Sequence, residues 1–125
     1  MAELPDDDPS LVDDPVEPIP YVFNCDVNVV KKGGGSDLAI VVVSPLQADQ
    51  RSVVRLMKKL EMYLRFVSSS EFRKESGAPT VDNTRIVIHL HPESAAEVRD
   101  LLWRCHDWIR ANHATLEVSD LDLPG

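Results

Sequence analysis

The stretch Leu38-Ala39-Ile40-Val41-Val42-Val43 (LAIVVV) is apolar at six consecutive positions. Side chains of a strand alternate between its two faces, so Leu38, Ile40 and Val42 point one way and Ala39, Val41 and Val43 the other. A strand that is apolar on both faces is central and covered on two sides. The rest of the chain has to provide those covers.

Toward the N-terminus, Tyr21, Phe23, Cys25, Val27 and Val29 alternate with Asn24, Asp26 and Asn28, the period of a second strand. On this pattern Cys25 faces the core. The intervening KKGGGS (31–36) is a turn, because glycine adopts positive φ without steric cost. It is not a phosphate loop, since no Lys-Ser/Thr pair closes it and a strand rather than a helix follows.

Toward the C-terminus, SPLQADQRSVVRLMKKLEMYLRFVSSS (44–70) reads as a helix. Ser44 with Pro45 can open it, and Asp49 is a competing cap. Val53, Leu56, Met57, Leu60, Leu64 and Val67 form one stripe. Arg51, Arg55, Lys58, Lys59 and Arg65 lie opposite, with Met62 among them and Phe66 close by. SSSEFRKESGAPTVDN (68–83) reads as a polar loop. TRIVIHLH (84–91) is a third strand, with Thr84, Ile86, Ile88 and Leu90 on one face and Arg85, Val87, His89 and His91 on the other. PESAAEVRDLLWRCHDWIRANH (92–113) is a second helix opened by Pro92, with Val98, Leu101, Leu102, Cys105 and Ile109 as its core stripe. ATLEVS (114–119) is a candidate fourth strand. The order ββαβα(β) predicts an α/β (α+β) two-layer sandwich, a mixed sheet of three or four strands with two helices on one face.

The helical segment resembles a small, uncharacterised bacterial family in which a hairpin runs into a helix containing Lys-Leu-x-x-Tyr-Leu-x-Phe. Here those residues are Lys59, Leu60, Tyr63, Leu64 and Phe66, and the similarity covers about residues 25–100. The family's tryptophan before the first helix is missing from PLQADQ (45–50). The resemblance implies the same fold and carries no activity or catalytic residues.

The net charge of −8 is unevenly placed. Residues 1–20 hold seven acidic groups, five prolines and no Lys or Arg, whereas the remainder is nearly neutral. Such a composition buries too little apolar surface to offset ordering entropy, so residues 1–20 are expected to be a disordered tail, 21–119 a single domain and 120–125 a disordered end. No apolar run approaches a membrane span, and residues 1–10 do not resemble a secretory signal. A cytoplasmic protein with free Cys25 and Cys105 is the expectation.

His89 and His91, one residue apart on a strand face, are candidate metal ligands. No C-x-x-C or H-E-x-x-H spacing adds a third, so no cofactor is expected. Cys105 sits mid-stripe as a small hydrophobe, and no nucleophile elbow surrounds Ser68–Ser70. The cationic helix face with Arg51, Arg55, Lys58 and Met62 is a candidate interaction surface. A near-neutral domain with an acidic tail argues against nucleic acid as its partner. Trp103 falls away from the second helix's core stripe, beside Arg99 and Arg110. That is either an interface anchor or a ring covered by Arg99. The functional expectations are a non-catalytic protein-interaction module acting as a homodimer; an acidic immunity- or inhibitor-type protein whose tail binds a basic partner; or a metal protein or enzyme using His89 and His91.

Overall fold

The computed structural model describes residues 6–121. Four strands form one mixed sheet in the order β1 (Val27–Val30), β2 (Ser36–Val41), β3 (Arg85–Leu90), β4 (Thr115–Asp120). β1 is antiparallel to β2, while β2, β3 and β4 are mutually parallel. The long helix α1 (Gln50–Val67) and the short α2 (Ser70–Ser76) join β2 to β3. α3 (Ala96–Arg104) and α4 (His106–Ala111) join β3 to β4. Successive right-handed crossovers in one direction place their helices on the same sheet face, which yields the expected two-layer α/β sandwich.

Between the layers, Leu38, Ile40, Val42, Ile86, Ile88, Leu90 and Leu116 pack against Leu56, Leu60, Leu64 and Val67 of α1 and against Val98, Leu102 and Ile109. Asp49 wins the competition to cap α1, its carboxylate accepting from Ser52 N at 3.1 Å. Ser44 and Pro45 remain outside the helix. Leu46 is buried instead and bonded to Ser94, whose Oγ accepts its N–H at 3.0 Å.

Several expectations are corrected. The first strand starts at Val27, not Tyr21. Where its main chain would pair with β2, the Asp26 carboxylate accepts Val41 N at 3.0 Å and Tyr63 Oη accepts from Asp26 N–H at 2.8 Å. These bonds end the ladder, and Cys25 is exposed rather than facing the core. The segment expected as a loop contains α2. Ser69 caps it by accepting from Phe72 N at 3.2 Å, and Phe72 is buried edge-on against Phe66, ring centroids 5.6 Å apart. The second helix divides at Cys105. At the other end Asp120 completes β4 and ion-pairs with Arg99 at 2.9 Å, so the expected disordered end does not begin there. Residues 122–125 lie outside the described residues.

One glycine of the hairpin turn is dictated by space. Gly35 has φ +83°, and a Cβ there would lie 1.9 Å from the Asn83 carbonyl oxygen. Its N–H donates to Ser76 O, and Ser36 and Ser76 hydroxyls meet at 2.6 Å, tying the start of β2 to the end of α2.

The largest correction is at the N-terminus. Residues 6–22 run across the outer side of α1 as a strap, with a 3-10 turn at Pro9–Leu11 and with Leu11, Ile19 and Val22 buried in the core. The tail was expected to be disordered because it is short of apolar residues, and these three are placed where each is fully used. Residues 1–5 lie outside the described residues.

Tyr63 joins helix to sheet: its hydroxyl donates to Ala39 O at 2.6 Å while accepting from Asp26 N–H. Tyr63→Phe removes both bonds and leaves two partners without theirs. Denaturant unfolding should show a loss of about 1–3 kcal/mol with an unchanged far-ultraviolet spectrum.

Candidate functional site

The cationic residues of α1 do not form an open surface. Arg55 is 1% exposed. Its Nε and Nη2 both donate to Ile19 O (3.1 and 2.6 Å), Nη2 also to Pro20 O at 3.0 Å, and Nη1 to Ser10 O and Val12 O at 2.8 and 2.7 Å. The guanidinium thus occupies the centre of the strap with carbonyls around it. Burial lowers its pKa first, with nearby Glu17, Asp14 and Asp13 opposing; an arginine stays charged through such a shift.

Its neighbours are engaged in the same way. Lys58 Nζ lies 2.7 Å from the Asp6 carboxylate and 3.1 Å from Glu61. Lys59 Nζ donates to Tyr21 O at 2.9 Å and to the Asp26 carboxylate at 2.7 Å. Arg51 meets Glu17 at 2.8 Å and Asp14 at 3.2 Å. Arg65 pairs with Asp6 and Glu61. Met62 sits half-buried among them. The expected basic partner surface is therefore occupied by the chain's own acidic segment.

The sequence reading missed the Asp26–Lys59–Tyr63 cluster. A usable signal existed in the charge distribution, because α1 carries five cations with Glu61 as its one acidic residue, while seven acids precede Tyr21. The cluster offers no activated group. The Cys25 thiol beside it has its pKa raised, foremost by burial, and the Tyr63 hydroxyl is pushed far up by burial; neither is the thiolate or phenolate a nucleophile requires. Cys105, packed 4.0 Å from Met57 Sδ, is likewise raised by burial.

The histidines do not converge. His89 is on the sheet face away from the helices, 3.2 Å from Ser119 Oγ. His91 lies one residue beyond β3 and is buried at the start of a turn, its Nδ1 accepting from Glu93 N at 3.1 Å, so the shared strand face expected for the pair is not formed. His106 contacts Trp103 O at 2.8 Å, and His113 takes the left-handed backbone (φ 68°) that follows α4. Among the described residues no three His, Cys, Asp or Glu side chains gather in a set that could hold a metal ion.

Trp103 is 75% exposed, and its ring contact is with His106, centroids 5.0 Å apart. Arg99 does not cover it. That guanidinium is held by Asp120 and donates to Pro92 O at 3.3 Å. Arg110 is exposed on α4.

The second surface is the open face of the sheet. In register, Val27, Ala39, Val87 and Glu117 form one row, and Val29, Asp37, Arg85 and Thr115 the next. Val29 is 54% exposed and Val27 42%, while Val87 is sheltered at 8%. A shallow groove runs over Val27, Val29, Ala39, Val87 and His89. Arg85 bridges Asp37 at 3.1 Å and Glu117 at 2.7 Å at one end of it. Comparison with protein-family models, with curated proteins and with solved structures finds no match for this chain. Among the described residues no helix is long and apolar enough to cross a membrane.

Arg55→Ala should destabilise the chain by about 3 kcal/mol or more, because the carbonyls it serves lose their charged donor. Arg55→Lys should rescue little, as one ammonium cannot replace a planar fork reaching four carbonyls. Acid should act on the neighbouring contact between Asp6 of the strap and Lys58. The Asp6 carboxyl is held below its ordinary 3.8, foremost by Lys58. A depressed carboxyl stabilises fully above its unfolded value and loses that contribution as pH falls through the folded one. Exchange-resolved NMR should therefore show strap amides losing protection below about pH 4, the range in which an aspartate takes up its proton, with smaller changes in β3.

Proposed function

We propose that this chain is a non-catalytic interaction module that works through its open sheet face, and that the occupant of this face is a second copy of itself. One observation carries the reading: three parallel strands are covered by helices on one side only. Parallel sheets occur almost entirely with both faces covered, and here the uncovered side presents Val27, Val29, Ala39, Val41 and Val87. Valines left exposed on such a face, rimmed by polar residues, mark an interaction site.

Self-association suits the pattern of the face. Its charges are already matched across two neighbouring rows, Arg85 between Asp37 and Glu117 and Lys31 beside Asp37 at 3.5 Å, so a neutral, self-complementary surface meets its own copy without like-charge repulsion. A two-fold arrangement buries the patch isologously and closes the assembly. His89 lines the groove and would lie in such an interface, while His91 is buried beyond the end of β3 and stays out of it. Trp103 belongs to the helical layer and is left for a different partner. The alternative of an acidic tail reaching for a basic partner is disfavoured, because Asp6, Asp14 and Glu17 are paired with α1.

Light scattering on the purified chain should give a dimer at high micromolar concentration and neutral pH. Val29→Lys, at a position exposed enough to leave the fold within about 0.5 kcal/mol of its stability, should shift it to monomer. A strict monomer under the same conditions would remove the reading.

A further inference from the structure

The strap over α1 is attached in an unusual way. Its backbone–backbone hydrogen bonds are Leu11 N to Asp8 O, Asp14 N to Pro20 O and Glu17 N to Asp14 O, within itself, and Asn24 N to Tyr21 O at the turn that follows it. Among the described residues, none joins its backbone to that of the sheet or α1. What holds it is the side chains of α1 and the three apolar anchors Leu11, Ile19 and Val22. Such a segment can detach without breaking any ladder, at the cost of drawing Leu11, Ile19 and Val22 out of the core, and such local openings lie below global unfolding.

Beneath it lies a built recognition surface. Arg55 reads main-chain carbonyls at four residues, Arg51 and Lys58 read carboxylates, and sockets take three aliphatic side chains. We propose that this outer face of α1 is a peptide-docking groove, closed in cis by residues 6–22, and that an extended acidic, proline-interrupted segment of another polypeptide displaces the strap. A polypeptide fits better than a nucleic acid. Arg55 bonds neutral carbonyls at Ser10, Val12, Ile19 and Pro20, and the sockets require aliphatic anchors; a phosphate backbone provides neither. The surface is on the helical layer, so this docking is independent of whether the sheet face pairs with a second copy.

Competition with the strap lowers the apparent affinity by the fraction of molecules in which it is open. The test uses the full chain throughout. Hydrogen exchange on the wild type should show Leu11, Asp14 and Glu17 amides exchanging through a separate opening, well before the β3 amides. A fluorescent peptide of residues 6–22 should bind the full-length Leu11→Ala/Ile19→Ala variant at least about tenfold more tightly than the wild type, as the weakened strap opens more often. Adding Arg55→Gln to that variant should abolish binding, and a single-stranded oligonucleotide of equal charge should not compete. The proposal is overturned if strap amides exchange only together with β3, if the folded double variant does not bind the peptide, or if the oligonucleotide displaces it equally well. Should the double variant fail to fold, the wild-type exchange decides alone.

Discussion

Burying a guanidinium is costly unless every donor finds an acceptor, and Arg55 finds its acceptors only in the strap. This requirement organises the helical layer. The strap's composition suits the task. Pro9, Pro15, Pro18 and Pro20 have no N–H, so the segment offers carbonyls while asking for few acceptors in return. A run of residues poor in donors and rich in acidic side chains is a matched lining for five cations on one helix. The features that suggest disorder in isolation become complementary once α1 is present.

Asp26, Lys59 and Tyr63 extend this arrangement into the sheet. Lys59 grips the end of the strap through Tyr21 O and the start of the first strand through Asp26. Tyr63 then links Asp26 to β2. The strap, the edge strand and the long helix are therefore joined at one point, and the ladder stops at Val27 because Asp26 supplies a side-chain acceptor in place of a main-chain one. Beyond this junction the strap's polar contacts outside itself run to α1 among the described residues, while Leu11 and Ile19 anchor it in the core.

The parallel strands, the core stripe of α1 and the layer arrangement were legible because each repeats a period over six or more residues: Leu38, Ile40 and Val42 by twos, Leu56, Leu60 and Leu64 by fours. The strap was illegible because its stabilising contacts join residues 34 to 59 positions apart, beyond any local pattern. α2 was missed since seven residues with a single buried phenylalanine give no period. The break at Cys105 leaves both halves helical, so the stripe runs on through it. Of the candidate site residues, His89 was placed on the correct face by alternation. Extending that alternation one residue past the strand's end misplaced His91. Arg55 and Lys58 were assigned to the correct side of the helix, but a helical wheel does not show what else lies on that side.

The same long separations impose an order on biosynthesis. Residues 6–22 leave the ribosome before α1 exists, and a chain emerging at roughly 5–20 residues per second leaves them without a docking site for seconds. During that interval the growing polypeptide carries a detached anionic segment, and then a newly formed cationic helix that it must find within its own molecule. Neighbouring nascent chains on one messenger present the same two pieces to each other. Fidelity of assembly then rests on the tether: a segment linked to its target by about thirty residues meets it at an effective concentration in the millimolar range, far above what a neighbouring chain provides.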